Sequence, residues 1–244
     1  MTTDLYVLLG IFAFAALTMV VYTLGGASRR EDPHETADRG GFFLGTFVRS
    51  WFYWFVGPVE RVALALKLSP TAFNLLGVAF GITAGVCFAL GLLPLGGWAV
   101  LLGGAADVLD GRIARARGMA SERGAFLDST LDRFAEVGAF VGLTVLYQNS
   151  AVALAVVATA LGGSLLVSYA RARGEGVGVR CKGGVMQRAE RLILVGFGGI
   201  LDPTVAQLGG FEPTSLLLSV LALVAAGTMG TAVYRTVWIA RRLG

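Results

Sequence analysis

The sequence is poor in the residues that most soluble enzymes use for catalysis and metal binding. Among 244 residues it has one histidine, His34, and two cysteines, Cys87 and Cys181. The lone histidine lies in a polar segment, which argues against histidine-based catalysis and against a histidine-rich metal site. The two cysteines form neither a disulfide framework nor a metal motif, so we interpret them as packing residues. Any metal bound here must therefore be held by carboxylates.

Charged residues are also scarce, and long apolar runs take their place. Only 15% of the residues are charged, whereas 55% are hydrophobic and the mean hydropathy is +0.72. This composition is typical of an all-α polytopic membrane protein. Crossing a hydrocarbon core of ~30 Å takes roughly 20 apolar residues. Seven stretches are predicted to cross: about 4–26, 71–94, 96–116, 122–147, 150–173, 188–209 and 214–240.

The first stretch is predicted to be a retained transmembrane anchor rather than a signal peptide. It lacks a basic N-terminal region, its apolar run is long, and no clear small-x-small cleavage site follows. The next segment, ASRREDPHETADRG at 27–40, mixes both charges with Pro and Gly and is predicted to be an exposed linker. We therefore divide the chain into an anchor with linker, residues 1–40, and a membrane domain, residues 41–244.

The membrane domain opens with a segment that combines many aromatic residues with charges and a proline. Aromatic rings prefer the headgroup level of a bilayer. Residues 42–68 are therefore predicted to form an amphipathic helix that lies along the interface. The alternative is an eighth crossing, which Pro58 and the charges beyond it disfavour.

Positive charge is absent from every second connection between the predicted spans. All 20 Lys and Arg residues fall in four segments: 29–67, 112–133, 171–191 and 235–242. The positive-inside rule makes this face cytoplasmic and puts the N-terminus outside. Topology thus accounts for the basic charge, and no nucleic acid partner is expected.

Four aspartates stand in or beside segments that otherwise suit lipid. Asp107 and Asp110 are three residues apart near the end of one predicted span, and Asp128 and Asp132 are four apart near the start of the next. Each pair projects from one face of its helix. A short basic turn joins the two spans, so the helices are predicted to be antiparallel neighbours whose four carboxylates converge.

Four ionised carboxylates near lipid repel one another and are costly to bury. Salt bridges from the arginines of the turn would be one remedy: Arg112, Arg115, Arg117 and Arg123. Hard divalent cations fit better, because Mg²⁺, Mn²⁺ and Ca²⁺ prefer oxygen ligands in this number. Two such ions would polarise a phosphate and stabilise its displacement. Gly111 and Gly124 leave room for a ligand beside the backbone.

This stretch resembles the signature of the CDP-alcohol phosphotransferases, D-x2-D-G-x2-A-R, eight or nine residues, then G-x3-D-x3-D. Here it reads DVLDGRIAR at 107–115, eight residues, then GAFLDSTLD at 124–132, and every fixed position matches. The resemblance implies an interfacial helix, six core spans and a homodimer, with two divalent cations, Mg²⁺ or Mn²⁺. It also implies a CDP-lipid donor such as CDP-diacylglycerol, an alcohol acceptor and CMP as leaving group. The N-terminal span lies outside this common core.

The resemblance assigns roles residue by residue. Asp107, Asp110 and Asp128 would be metal ligands, and Asp132 would contact the second metal and act as general base. The nucleotide side would be formed by Gly111, Ala114, Arg115, Gly124 and Thr71, the last standing where the family commonly has Asn directly after Pro.

Two downstream segments resemble prokaryotic phosphatidylinositol-phosphate synthases, which typically show S-Y-x-K-A-R and G-G-x3-R-P-E-R-L. Here the segments read SYARAR at 168–173 and GGVMQRAERLIL at 183–194. The match implies that an acceptor pocket is lined by Arg171, Arg173 and Arg191 and closed by Arg235. This chain departs from the pattern at Arg171, where Lys is usual, and at Ala189, where Pro is usual.

Several arginines beside a metal site call for an anionic acceptor such as inositol 1-phosphate. Glycerol 3-phosphate satisfies the same logic, so a phosphatidylglycerophosphate synthase is the closest rival, followed by transferases that use serine or inositol. Arg180 and Lys182 are interpreted as positive-inside residues only.

Two other classes of protein stay open. The first is an intramembrane prenyltransferase, and the D-G-x2-A-R element argues against it. The second is a divalent-metal carrier, whose ligands should lie nearer mid-membrane. We predict an enzyme of the prokaryotic cytoplasmic membrane whose active site faces the cytoplasm.

Overall fold

A computed structural model describes residues 3–25 and 45–244. Within these ranges the chain forms eight α-helices and no strand: α1 (Thr3–Leu24), α2 (Gly45–Ala65), α3 (Pro70–Ala89), α4 (Leu93–Ala116), α5 (Glu122–Leu146), α6 (Ala151–Gly176), α7 (Arg188–Gly209) and α8 (Ser215–Leu243). The predicted all-α bundle is confirmed. The predicted linker, His34 and the proposed domain boundary at residue 40 lie outside the described residues.

The chain divides into two compact units, residues 1–68 and 69–244. In the first unit α1 and α2 meet through aromatic rings. The ring of Tyr22 lies 5.8 Å from that of Phe47 and 5.7 Å from that of Trp54, and Phe14 lies 6.2 Å from Phe55. The helix expected at the interface is present as α2, and its placement along the membrane stays a prediction.

The second unit holds six helices whose starts follow from local sequence. Side-chain oxygens of Ser69, Ser121 and Ser150 accept a hydrogen bond from a backbone N–H in the first turn of α3, α5 and α6. Serine at the N-cap satisfies one of the donors that a helix start leaves unpaired. The observed helices therefore begin close to where the apolar patterns predict them.

Glycines allow the helices of the second unit to approach closely. A Cβ at Gly85 would overlap the carbonyl oxygen of Gly138, and a Cβ at Gly142 would overlap the backbone of Gly85. Small residues of this kind are typical of helix contacts in membranes. α4 and α5 both pack mainly against α3, α4 also packs against α7, and α6 packs against α8. This arrangement brings the end of α4, the start of α5 and the start of α7 together.

Five helices of the second unit are long and apolar enough to cross a membrane: α3, α4, α6, α7 and α8. α5 has 25 residues, but its first half carries several charged residues. Among the described residues, α1 has one shorter apolar stretch, Phe12–Leu24. The crossings by α1 and α5 therefore stay predictions, while the polytopic bundle itself is confirmed.

The end of the bundle away from the aspartates is held by a buried carboxylate. Asp202 on α7 accepts hydrogen bonds from the backbone N–H groups of Thr214 and Leu217, at 2.8 and 2.9 Å. The hydroxyl of Tyr147 donates to the carbonyl oxygen of Thr214 at 2.8 Å. These contacts fix the start of α8, because the first N–H groups of a helix otherwise have no partner.

Candidate active site

Three of the four predicted aspartates converge between the end of α4 and the start of α5. Asp107, Asp110 and Asp128 each offer one carboxylate oxygen, and these oxygens lie within 4.8 Å of one another. Asp110 is only 4% exposed, and its Oδ2 has no hydrogen-bond donor among the described residues. A buried carboxylate oxygen without a donor, beside two further carboxylates, fits a hard divalent cation. The three residues can hold a divalent metal ion.

Asp132 lies one turn further along α5 and is joined to Asp107 by an arginine. Nη1 of Arg188 lies 2.7 Å from Oδ2 of Asp107, and Nη2 of Arg188 lies 2.7 Å from Oδ1 of Asp132. A weaker contact of 3.6 Å joins Asp132 to Arg133. The sequence suggested counter-ions from the α4–α5 turn, whereas the observed counter-ion, Arg188, is the first residue of α7 and was not predicted.

A second missed residue, Glu136, lies one further turn along α5. Its Oε1 accepts a hydrogen bond from Nε of Arg191 at 3.0 Å, and Nη2 of Arg191 lies 2.9 Å from the same oxygen as an ion pair. Its Oε2 accepts from Nη1 of Arg133 at 2.8 Å, and this nitrogen also donates to Oγ of Ser168 at 2.7 Å. A signal was present in the sequence, because Asp128, Asp132 and Glu136 are spaced by four and lie on one helix face.

The proposed acceptor arginines have different surroundings. Arg191 is buried beside the carboxylates, as described, whereas Arg173 is exposed. Arg171 is 41% exposed and pairs with Glu175 at 3.0 Å. Arg235 is buried and donates to two backbone carbonyl oxygens, those of Gly183 at 2.8 Å and Val167 at 2.9 Å. Arg235 on α8 thereby links α6, which carries Arg171, to the loop that leads into α7, which carries Arg191. We refer to these three arginines as the basic region.

The proposed nucleotide residues lie around the same helix ends. Gly111, Ala114 and Arg115 are in the last turns of α4, and Gly124 is in the first turn of α5. A Cβ at Gly111 would lie 3.3 Å from Nη1 of Arg115, so the glycine leaves room for that guanidinium. Thr71 is exposed in the first turn of α3.

A small cavity of about 40 Å³ lies beneath the ion-pair cluster, between α3, α4, α5 and α7. Its polar lining consists of Glu136, Arg188 and Arg191. Glycines, alanines and larger apolar side chains form the other walls.

A bundle of apolar helices with a carboxylate site at the end of α4 and the start of α5 defines a membrane-embedded, metal-dependent transferase. The chain belongs to the CDP-alcohol phosphatidyltransferase family, whose model matches residues 67–201. This confirms the resemblance drawn from the aspartate signature, and it makes the protein an integral membrane enzyme.

Curated and solved relatives agree with this assignment. The chain is 33% identical to the phosphatidylinositol phosphate synthase of Cutibacterium acnes, over 76% of this chain and 92% of that protein. A crystal structure of the Mycobacterium tuberculosis phosphatidylinositol phosphate synthase with CDP-DAG bound is 30% identical, with a TM-score of 0.65 over 75% of this chain and 92% of the other. The same synthase in complex with manganese and citrate is 31% identical, with a TM-score of 0.65 over 74% and 88%.

Proposed function

We propose that the protein transfers the phosphatidyl group of CDP-diacylglycerol to a phosphorylated polyol, inositol 1-phosphate, and releases CMP. One observation carries this proposal: the three converging aspartates lie beside Arg188 and the buried Arg191, so a candidate cation site adjoins a candidate anion site. The names of the relatives support the same donor and the same acceptor.

Asp107, Asp110 and Asp128 would hold two divalent cations, Mg²⁺ or Mn²⁺, and Asp132 would contact the second of them. When bound, the cations would neutralise the negative charge on the diphosphate of the donor. Asp132 would act as general base and take the proton from the attacking hydroxyl of the acceptor. The hydroxyl oxygen then forms a bond to the lipid-side phosphorus, the bond from that phosphorus to the bridging oxygen breaks, and CMP leaves.

The nucleotide side of the donor would lie along the end of α4 and the starts of α3 and α5. Gly111, Ala114 and Gly124 allow a ligand to approach the backbone there, and Thr71 would contribute a hydroxyl. Arg115 is suited to a diphosphate oxygen, because its guanidinium donors are fixed in direction and always charged.

The acceptor side would be the basic region that includes Arg191. Charge-assisted hydrogen bonds from Arg171, Arg191 and Arg235 favour an acceptor that already carries a phosphate, and Arg173 would contribute from the exposed end of α6. Glycerol 3-phosphate has the same phosphate, so a phosphatidylglycerophosphate synthase is the rival function.

The site would face the cytoplasm of a prokaryotic cell, with the N-terminus outside. This orientation follows from the charge pattern, because every Lys and Arg falls on one side of the predicted spans. We also propose that the enzyme is a homodimer.

An acceptor screen tests the function. Purified protein is given labelled CDP-diacylglycerol and Mg²⁺ or Mn²⁺, and lipid product and CMP are measured with inositol 1-phosphate, glycerol 3-phosphate, inositol and serine in turn. We expect the highest kcat/KM with inositol 1-phosphate. Preference for glycerol 3-phosphate would establish the rival, and preference for an uncharged acceptor would overturn the role of the arginines.

A further inference from the structure

Arg188 connects the carboxylates on either side of the candidate cation site. One terminal nitrogen lies 2.7 Å from Asp107 on α4, and the other lies 2.7 Å from Asp132 on α5. A single guanidinium therefore pairs with both a proposed metal ligand and the proposed general base. While Arg188 holds this position, neither carboxylate has its full charge available for a cation or a proton.

Arg188 belongs to a connected network of ion pairs. Three arginines contact three carboxylates in one connected network: Arg133, Arg188 and Arg191 with Asp107, Asp132 and Glu136. A divalent cation bound by Asp107 and its neighbours competes with Arg188 for the charge of Asp107. Arg188 then loses one of its two carboxylate partners, and a nearby anion can replace that partner.

Arg188 and Arg191 also have buried donor groups that no described residue uses. Arg188 shares the cavity of about 40 Å³ with Arg191 and Glu136. Nε of Arg188 and Nη1 of Arg191 are both buried and have no hydrogen-bond partner among the described residues. Buried donors of this kind are normally satisfied. Two guanidinium groups with unused donors, side by side, suit the oxygens of a phosphate monoester.

We propose that Arg188 is an exchangeable counter-ion that couples cation binding to acceptor binding. It pairs with Asp107 and Asp132 until a divalent cation binds, and it then turns to the phosphate of the acceptor beside Arg191. Each ligand thereby tightens the binding of the other, because coupling between two sites is reciprocal. The identity of the anion as the acceptor phosphate rests on the proposed function, whereas the competition between Arg188 and the cation does not.

The competition is tested by Mn²⁺ binding to the purified full-length protein without nucleotide or acceptor, with free Mn²⁺ measured by its electron paramagnetic resonance signal. Arg188→Gln removes the competing charge and is expected to bind Mn²⁺ about tenfold more tightly, a gain of ~1.4 kcal/mol. Arg180→Gln removes an exposed charge that pairs with Glu175, and its Mn²⁺ affinity should equal that of the wild type. Unchanged or weaker Mn²⁺ binding by Arg188→Gln overturns the proposal.

The coupling is tested by adding inorganic phosphate below the solubility limit of manganese phosphate, with a protein-free reference for phosphate complexation. Phosphate should tighten Mn²⁺ binding to the wild type by about fivefold or more, and it should leave Arg188→Gln unchanged. Arg188→Lys keeps the charge but lacks the fork that reaches two carboxylates. Its Mn²⁺ affinity should fall between the two, which keeps the test available if the Gln variant does not fold.

The result can be separated from that of the acceptor screen. Suppose that phosphate still tightens Mn²⁺ binding but the enzyme prefers an uncharged acceptor. This result would overturn the proposed function and support the role of Arg188. Suppose instead that the wild type turns over inositol 1-phosphate but phosphate does not tighten its Mn²⁺ binding. This result would support the proposed function and overturn the role of Arg188.

Discussion

Glu136 and Arg191 form a buried ion pair between α5 and α7, in which Nη2 of Arg191 lies 2.9 Å from Oε1 of Glu136. The two side chains are 6% and 3% exposed, respectively. Burying two charges is favourable only when they are paired and hydrogen-bonded. Glu136 also accepts from Arg133, so it keeps one partner if Arg191 is replaced. Because of this second contact, replacing Arg191 does not leave the buried carboxylate of Glu136 without a partner.

Replacing Arg191 with Ala should impair use of the acceptor more than use of the donor. Charge-assisted hydrogen bonds are worth about 1.5–3 kcal/mol each, so kcat/KM for the acceptor should fall by about one to two powers of ten. The KM for CDP-diacylglycerol should change little, because Arg191 lies outside the aspartate signature. Steady-state kinetics with each substrate varied in turn measures both effects.

Two controls accompany this variant. Arg191→Lys should recover only part of the loss, since an ammonium group lacks the planar fork of a guanidinium. Thermal unfolding of each variant should be followed in parallel, because the ion pair also joins two helices. An Arg191→Ala enzyme whose acceptor KM equals that of the wild type would contradict the proposed acceptor side.

Removal of divalent cations should abolish turnover. All of the proposed ligands are carboxylates, so EDTA should inactivate the enzyme and Mg²⁺ or Mn²⁺ should restore it. Equilibrium binding of Mn²⁺ should give two ions per chain, and Asp110→Asn should weaken that binding. Full activity in chelator, or one ion per chain, would contradict the two-cation site.

The helices and the aspartate cluster could be predicted from the sequence because both depend on local patterns. Apolar runs of sufficient length indicate the spans, and serine caps mark where three helices begin. Spacings of three and four residues place each aspartate pair on one helix face. Since a short turn joins α4 to α5, the convergence of Asp107, Asp110 and Asp128 follows from sequence alone.

The roles of Arg188 and Glu136 could not be predicted in the same way. Their partners lie on different helices, and the Glu136–Arg191 contact joins residues 55 positions apart. Such a contact depends on how α7 packs against the rest of the bundle, and α7 is placed by close approaches such as that of Gly97 to Gly196. The positive-inside rule treats all arginines near helix ends in the same way. Only the tertiary fold shows which of them contact carboxylates.

Tags at the two termini should be reached from opposite sides of the membrane. The distribution of Lys and Arg puts the N-terminus outside and the C-terminus in the cytoplasm. Protease protection or membrane-impermeant labelling of intact cells should therefore detect only the N-terminal tag. Both tags on the same side would show that α1 does not cross or that it is removed.

A single methyl group at the α3–α5 contact should destabilise the bundle. A Cβ at Gly142 would overlap the backbone of Gly85, whereas a Cβ at Gly162 on α6 would meet nothing within 4 Å. Overpacking of this kind typically costs about 1–3 kcal/mol. Gly142→Ala should therefore unfold at a lower temperature in detergent than the wild type, and Gly162→Ala should not. Equal melting temperatures for the two variants would contradict the close α3–α5 contact.

Asp132→Asn should separate donor binding from turnover. The substitution keeps the size of the side chain but removes the proton acceptor, and general base catalysis typically contributes about 10²–10⁴ in rate. We expect kcat to fall by a factor in that range while the Kd for CDP-diacylglycerol changes far less, because Asp107, Asp110 and Asp128 are intact. Asp202→Asn is the matched control, since Asp202 is buried at the opposite end and holds the start of α8. It should lower the melting temperature and leave the kcat of the folded fraction unchanged. If Asp132→Asn loses donor binding and turnover equally, Asp132 holds the site together rather than accepting the proton.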